Sequence, residues 1–423
     1  MATFPRIPVS EFIAAGEAEL KTGPFGTQLK ASEYTEKGTP VINVRNIGMG
    51  SIKADKLEFI SDATRDRLSS HVLRSGDIVF GRKGAVERHV FIRKEQHGWF
   101  QGSDCLRLRF NSPRVVPLFA SYFFITEEHQ RWMMNQCSHG ATMSSLNQDI
   151  LERIDLPCPP LPVQRRIAGI LSAYDELMEN SQRRIRILEA MARALYREWF
   201  VHFRFPGHEK HPRVASPLGD IPQGWEVKKL SALCSRMESG GTPKRKSPEY
   251  WADGSIDWFK TGELWDGFLF GSEEKISERG QRESNARIFE PGTILMAIYG
   301  SPTVGRLGIV TRPSTCNQAA LGLVSDKKQI SQTFLYFVLF SLRDHFNGLA
   351  QGAAQQNISK EKVANAVALV PPCALVAAFD RLAEPTFSQI QTLQRQVQNL
   401  RRTRDLLLPR LLSGQVELKT EAA

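Results

Sequence analysis

Two kinds of hydrophobic pattern alternate along this chain of 423 residues. Short β-prone runs bounded by glycine turns come first: Pro40-Val41-Ile42-Asn43-Val44, Asp77-Ile78-Val79-Phe80 and Val90-Phe91-Ile92-Arg93. A helical pattern intervenes between Pro117 and Gln136, with Leu118, Tyr122, Ile125 and Trp132 on one side. The mixture predicts a unit with a compact, partly antiparallel sheet. The run Pro157-Cys158-Pro159-Pro160-Leu161-Pro162 predicts a stiff extended connector. Beyond it Ile167, Ile170, Leu171, Tyr174, Leu177, Met178, Ile185, Leu188, Ala192, Leu195 and Trp199 recur at three- and four-residue steps. That is a coiled-coil seam, and a helix from Val163 to Phe200 would span roughly 55 Å. Pro206-Gly207 breaks the pattern.

The second half then repeats the first. Gly140-Ala141 and Gly352-Ala353 are 212 positions apart, as are Pro159 and Pro371 in the two proline junctions. Ser32-Glu33-Tyr34 with Gly38 matches Pro248-Glu249-Tyr250 with Gly254 at an offset of 216, as Gly76-Asp77-Ile78 matches Gly292-Thr293-Ile294. The change of offset places a few inserted or deleted residues in the intervening loops. The last helical pattern carries Phe379, Leu382, Ile390, Leu393, Val397, Leu400, Leu407 and Leu411. Pro385 predicts that its regular part starts at about Thr386, and Pro409 that it ends or kinks there. Two such seams left alone would be exposed apolar stripes; paired antiparallel, they bury each other, the alternative being that each helix packs on its own domain. The expected fold class is therefore α+β. Two globular mixed α/β domains are separated by two long antiparallel coiled-coil spacer helices in a pseudo-twofold internal repeat. The expected boundaries are 1–160, 161–205 for the central spacer helix, 206–372 for linker and second domain, and 373–423 for the C-terminal spacer helix and tail.

Charge adds a partner class. Lys and Arg number 55 against 45 Asp and Glu, giving a net charge of +10, which favours polyanions. The six cysteines form no C-x-x-C pair and read as buried free thiols in a reducing compartment. Met1 to Glu17 shows no secretory pattern, and no run approaches the roughly 18 apolar residues of a membrane span, so no membrane and a cytoplasmic location are expected. No phosphate loop, dinucleotide loop or amino-methyltransferase motif is present. His202, His208 and His211 sit in a proline-bearing linker that reads as a solvated loop, and Glu273-Glu274-Lys275 as a charged turn. No catalytic residue and no metal site is expected.

Binding chemistry is visible in both repeats instead. Lys30, Arg45, Asn46, Arg82, Lys83 and Arg88 in the first, with Lys244, Arg245, Lys246, Lys260, Thr261, Tyr299 and Arg306 in the second, fall on glycine-flanked loops. Arg and Lys donate to guanine N7 and O6 or to phosphates, and Asn matches adenine. These are the candidate DNA-binding residues. For the spacer helices the candidates are Ile167, Leu171, Tyr174, Leu188, Leu195 and Trp199, with Ile390, Leu393, Val397, Leu400 and Leu407.

Several longer motifs carry a resemblance. They are Gly26-Thr27-Gln28-Leu29-Lys30, Gly38 through Ile47, Ser239-Gly240-Gly241-Thr242-Pro243, Pro248-Glu249-Tyr250-Trp251 and Trp258 through Leu264. With Gln164-Arg165-Arg166-Ile167-Ala168 through Trp199-Phe200-Val201, and Arg402 through Gly414, they resemble the specificity (S) subunit of type I restriction–modification enzymes over nearly the whole chain. The second junction, Pro372-Cys373-Ala374-Leu375, departs by lacking the Gln-Arg pair. In the first domain Met143-Ser144-Ser145-Leu146-Asn147 replaces the amide-rich Gln355-Gln356-Asn357-Ile358-Ser359. The resemblance implies two target recognition domains, each reading half of a bipartite, asymmetric double-stranded DNA site, with the helices setting the gap. It further implies two methyltransferase (M) subunits for adenine methylation and restriction/translocase (R) subunits. S-adenosylmethionine, ATP and Mg²⁺ would belong to those partners, with no cofactor in this chain. The alternative is a self-contained DNA methyltransferase or nuclease on the same recognition scaffold. A third reading is a scaffold that bridges proteins without reading DNA.

Overall fold

A computed structural model describes residues 4–416 except 25, 27, 138–143, 301–302 and 351–356. The repeat markers Gly140-Ala141 and Gly352-Ala353, together with Thr27, Met143 and Gln355-Gln356, lie outside the described residues. The chain forms two compact units, residues 1–178 with 399–423, and residues 179–398.

In the first unit a five-stranded sheet runs in the order Ala18–Thr22, Cys105–Phe110, Ile78–Gly81, His89–Phe91, Met49–Gly50. All pairs are antiparallel except the last, which is parallel. The central strand alternates its side chains between two cores. Ile78 and Phe80 face Phe119 and Phe124 of the helix Pro117–Ile125, while Val79 packs with Ile42, Ile47 and Val90. A smaller sheet follows the order Tyr34–Thr35, Glu58–Ile60, Thr39–Ile42, Phe100–Gln101.

The second unit repeats this plan. Its five-stranded sheet runs Cys234–Ser239, Ala320–Ser325, Ile294–Ala297, Leu307–Val310, Gly267–Leu269, again with the last pair parallel. Ile294 and Met296 face one core, Leu295 and Ala297 the other. The smaller sheet is Glu274–Ile276, Ile256–Phe259, Ser314–Cys316. In each unit a strand near the start pairs antiparallel with the strand preceding a long helix: Arg6–Pro8 with Asp155–Pro157, and Glu226–Lys229 with Val367–Val370.

The long helices are Leu161–Tyr196 and Cys373–Leu412. The first starts inside the expected connector, since proline is tolerated in a first turn, and ends in a π turn at Arg197–Val201 that buries Trp199 and Phe200. Among its buried positions Ile167, Leu171, Met178, Ile185, Ala192, Tyr196 and Trp199 step by three, four or seven, as a coiled-coil seam requires. Tyr174, Leu188, Leu195, Leu400 and Leu407 are half-buried, and Ile390, Leu393 and Val397 buried. The two helices run antiparallel. In the first unit Asp175 meets Arg404, and in the second Tyr196 and Trp199 meet Phe379.

Four expectations need correction. Leu177 and Leu382 are exposed, because a continuous helix turns them away from the seam. Pro385 and Pro409 lie inside the second helix. Both prolines are exposed, so water can serve the carbonyls they leave unpaired, while Phe379, Ala383, Leu408 and Leu411 bury the opposite side. The stretch 117–136 is two helices rather than one, Pro117–Ile125 and Glu127–Cys137. The first buries Phe119 through Phe124 on all sides, because it is packed between the sheet and the start of a long helix. Finally, Cys373 is exposed and Cys158 and Cys234 are half-buried; burial pushes the Cys105, Cys234 and Cys316 thiols up to about 12.

Candidate nucleic-acid interface

In each unit an inner strand of the smaller sheet runs out into one 3-10 turn. After Thr39–Ile42, the Asn43 N–H donates to Asn46 Oδ1 at 3.2 Å and Asn46 N–H returns to Asn43 O at 2.8 Å. After Ile256–Phe259, the Lys260 N–H donates to Glu263 Oε2 at 2.7 Å and Glu263 N–H returns to Lys260 O at 3.0 Å. A side chain three residues on thus closes both turns, as in a helix cap. Asn46 is spent in this role. It is fully buried, with Nδ2 donating to Lys53 O and Asp55 O, so it shapes the turn and presents no edge to a base. That corrects its place among the base readers.

The second wall is the loop after the central strand. Arg82 N–H donates to Asp104 O and Leu146 N–H to Arg82 O; Ile298 N–H donates to Ala319 O and Ile358 N–H to Ile298 O. These matching bonds place Lys83 and Tyr299 at equivalent positions, where Lys83 bridges Ser145 and Tyr299 bridges Asn357. Arg88 and Arg306 are equivalent too, each standing immediately before the next strand. Tyr299 against Lys83 is a difference between the repeats in chemistry, not in backbone.

Five of the cations at this corner meet carboxylates. Arg45 meets Glu58 at 2.7 Å, Lys83 meets Asp104 at 3.4 Å and Arg88 meets Glu87 at 3.3 Å. Lys260 meets Glu273 at 2.8 Å and Glu274 at 3.2 Å, which raises its pKa. Arg245 pairs with Glu274 and lies over Trp251 at 3.9 Å and Trp258 at 4.7 Å. The Arg245 guanidinium holds the Glu274 carboxyl below its ordinary range, and Lys260 adds to this. Lys30, Lys244 and Lys246 are exposed, while Arg82 and Thr261 are half-buried. Arg306 covers the ring of Trp265, itself 70% exposed, at 4.3 Å. Exposed ion pairs of this kind stabilise by roughly 0–1 kcal/mol, so such cations can exchange a carboxylate for a phosphate at small cost.

Sequence reasoning missed Glu58, Glu274, Trp251, Trp258 and Trp265 as parts of this corner. A signal existed for one pair: Glu58 and Glu274 are 216 positions apart, the offset of the neighbouring repeat matches. Among the described residues no helix is long and apolar enough to cross a membrane, and no group of three His, Cys, Asp or Glu side chains is set to hold a metal ion.

A duplicated α+β unit whose loops differ on a shared backbone corner, together with two long helices, is the plan of a recognition protein. The family described as type I restriction modification DNA specificity domain matches residues 21–190 and 222–373. The chain belongs to that family. It is 26% identical over 306 residues to the type I restriction enzyme MjaIX specificity subunit of Methanocaldococcus jannaschii, covering 72% of this chain and 70% of that one. Over 407 residues it is 22% identical to the HindI specificity subunit of Haemophilus influenzae, covering 81% and 87%. The fold matches the crystal structure of a type I restriction–modification S subunit from M. genitalium with a TM-score of 0.63 at 15% identity, over 96% of both chains.

Proposed function

We propose that this chain is the non-catalytic recognition subunit of a type I restriction–modification complex, and that each unit reads one half of a bipartite, asymmetric site in double-stranded DNA. The helices set the gap between half-sites. Two M subunits would then methylate adenine and R subunits would translocate and cut; S-adenosylmethionine, ATP and Mg²⁺ would be bound by those partners. The observation that supports this best is the shared corner: one backbone frame in both repeats, with Lys83 in one and Tyr299 in the other at the same position. Unlike side chains on like frames fit two unlike half-sites.

Mapping methylated adenines across the host genome, with and without this chain, tests the reading. A single bipartite motif that disappears with the chain is expected; an unchanged methylation pattern refutes it. Lys260→Ala is expected to relax the second half of that motif and leave the first intact. The purified chain supplied with S-adenosylmethionine and Mg²⁺ should neither methylate nor cut DNA, and robust activity would favour the self-contained enzyme instead.

A further inference from the structure

The two repeats place one acidic residue identically. Glu58 stands opposite Val41 in the smaller sheet of the first unit, and Glu274 stands opposite Trp258 in that of the second. Val41 and Trp258 each lie two residues before the first residue of the corner turn, Asn43 and Lys260 respectively. Each glutamate reaches that residue: Asn43 Nδ2 donates to Glu58 Oε2 at 2.6 Å, and Lys260 Nζ lies 3.2 Å from Glu274 Oε1. Each also holds an arginine, but from a different segment. Arg45 comes from the turn itself, whereas Arg245 comes from the loop ahead of the strand. The carboxylate is therefore the common part, and the cation gathered around it is the variable one.

Both carboxylates are partly open to solvent, 41% for Glu58 and 34% for Glu274. A carboxylate beside a cation at a surface offers what a DNA phosphate offers: two acceptor oxygens, negative charge and a bidentate fit to an arginine fork. We infer that Glu58 and Glu274 are positioning residues that set specificity, each standing in for a DNA phosphate in the free chain. They orient the recognition cations and neutralise them until DNA supplies a better set of acceptors. Unrelated DNA offers phosphates alone and must displace the carboxylate for no further gain. A correct half-site adds base-edge acceptors in the groove, and the exchange becomes favourable. The glutamates thus suppress affinity for wrong sequences more than for right ones, which is discrimination by a competing internal ligand.

This inference rests on the DNA-recognition reading, and the experiment separates the two. The full chain and its Glu58→Gln and Glu274→Gln variants are titrated with a random-sequence duplex over a range of salt, and their folds compared by circular dichroism and thermal melting. Each variant is expected to bind random duplex about tenfold more tightly near ~100 mM salt, with the slope of log K against log salt steeper by about one, because one more cation meets phosphate. Glu58→Asp and Glu274→Asp are expected to stay near the parent. Unchanged or weaker binding by both folded Gln variants, with or without a fall in melting temperature, would overturn the inference and leave a purely structural role. If the parent chain itself binds no duplex even at low salt, the recognition reading fails and this one with it. The two variants sit in different units, so misfolding of one leaves the other as the test.

Discussion

The two recognition units share a backbone plan and solve its interior differently. On the strand paired with the centre of the large sheet, the first unit buries Arg107, opposite Val79, with its guanidinium on Glu19 at 2.7 Å and Ser70 O at 3.0 Å. At the equivalent place, opposite Leu295, the second unit has Gly322, and the Phe289 ring fills the space; a Cβ there would lie 2.2 Å from that ring. The junctions with the long helices diverge likewise. Six residues after its N-cap, the helix Pro117–Ile125 presents Tyr122, which donates to Asp175, itself held by Arg404. Six residues after Ser331, the helix Gln332–Ser341 presents Phe337, stacked on Tyr196 at 5.4 Å and against Phe379 and Phe387. A polar clamp in one unit is an aromatic stack in the other. The hydrogen-bonded frame is what the repeat preserves, and the groups that fill it can be exchanged as sets without moving the recognition corner.

Breaking the two junctions should separate them by magnitude. Phe337→Ala removes a buried ring from the stack and is expected to cost about 3–5 kcal/mol, whereas Tyr122→Phe loses one charge-assisted hydrogen bond and costs about 1.5–3 kcal/mol. Denaturant unfolding with hydrogen exchange on peptides from each unit measures both, and equal costs would break the comparison. Next comes Gln164, fully buried at the start of the first long helix. Its amide accepts from Val116 N–H and donates to Arg114 O and Pro159 O, each at 2.8 Å. Gln164→Ala strands three backbone groups and should cost about 2–3 kcal/mol. The helix Gln332–Ser341, counterpart of Pro117–Ile125, is capped by its own Ser331, which accepts from Phe334 N–H and donates to Asp380, so Ser331→Ala should cost only about 1 kcal/mol.

The smallest effect sharpens the same contrast through pH. Burial raises the Asp380 carboxyl pKa in the folded state, with Ser331 partly opposing. A raised pKa means that the fold favours the protonated form, so this contribution is present at low pH and lost as pH rises through the folded value. Asp380 is half-buried, so solvent screens the effect to less than about 1 kcal/mol. Asp380→Asn should keep the hydrogen bond and remove that pH dependence from unfolding curves recorded as pH rises through the carboxylate range. The junction at Gln164 should show no matching response.

Much of the architecture was legible in residue order. Registers of 212 and 216 between matching motifs exposed the duplication, and heptad steps from Ile167 to Trp199 exposed the first long helix, because both are local, periodic signals. Pro385 predicts a late start to the second helix and Pro409 an end or kink; tertiary burial of Phe379, Ala383 and Leu411 outweighs that local cost. At the corner, cation positions were visible one by one as Lys or Arg beside glycine. Their partners were not, since Arg45 and Glu58, or Arg245 and Glu274, meet only after strands pair. Asn46 looked like an adenine reader and is an interior cap.

What the sequence determined alone is the duplication, the α+β class, the two long helices and the basic, loop-borne character of the candidate binding residues, all properties of composition and spacing. What only the tertiary structure decided is which of those residues face outward and which carboxylate each one meets. Strand pairing brings Glu58 to Asn43 and Glu274 to Lys260 across a turn of chain that spacing cannot measure, and burial decides that Asn46 serves the fold.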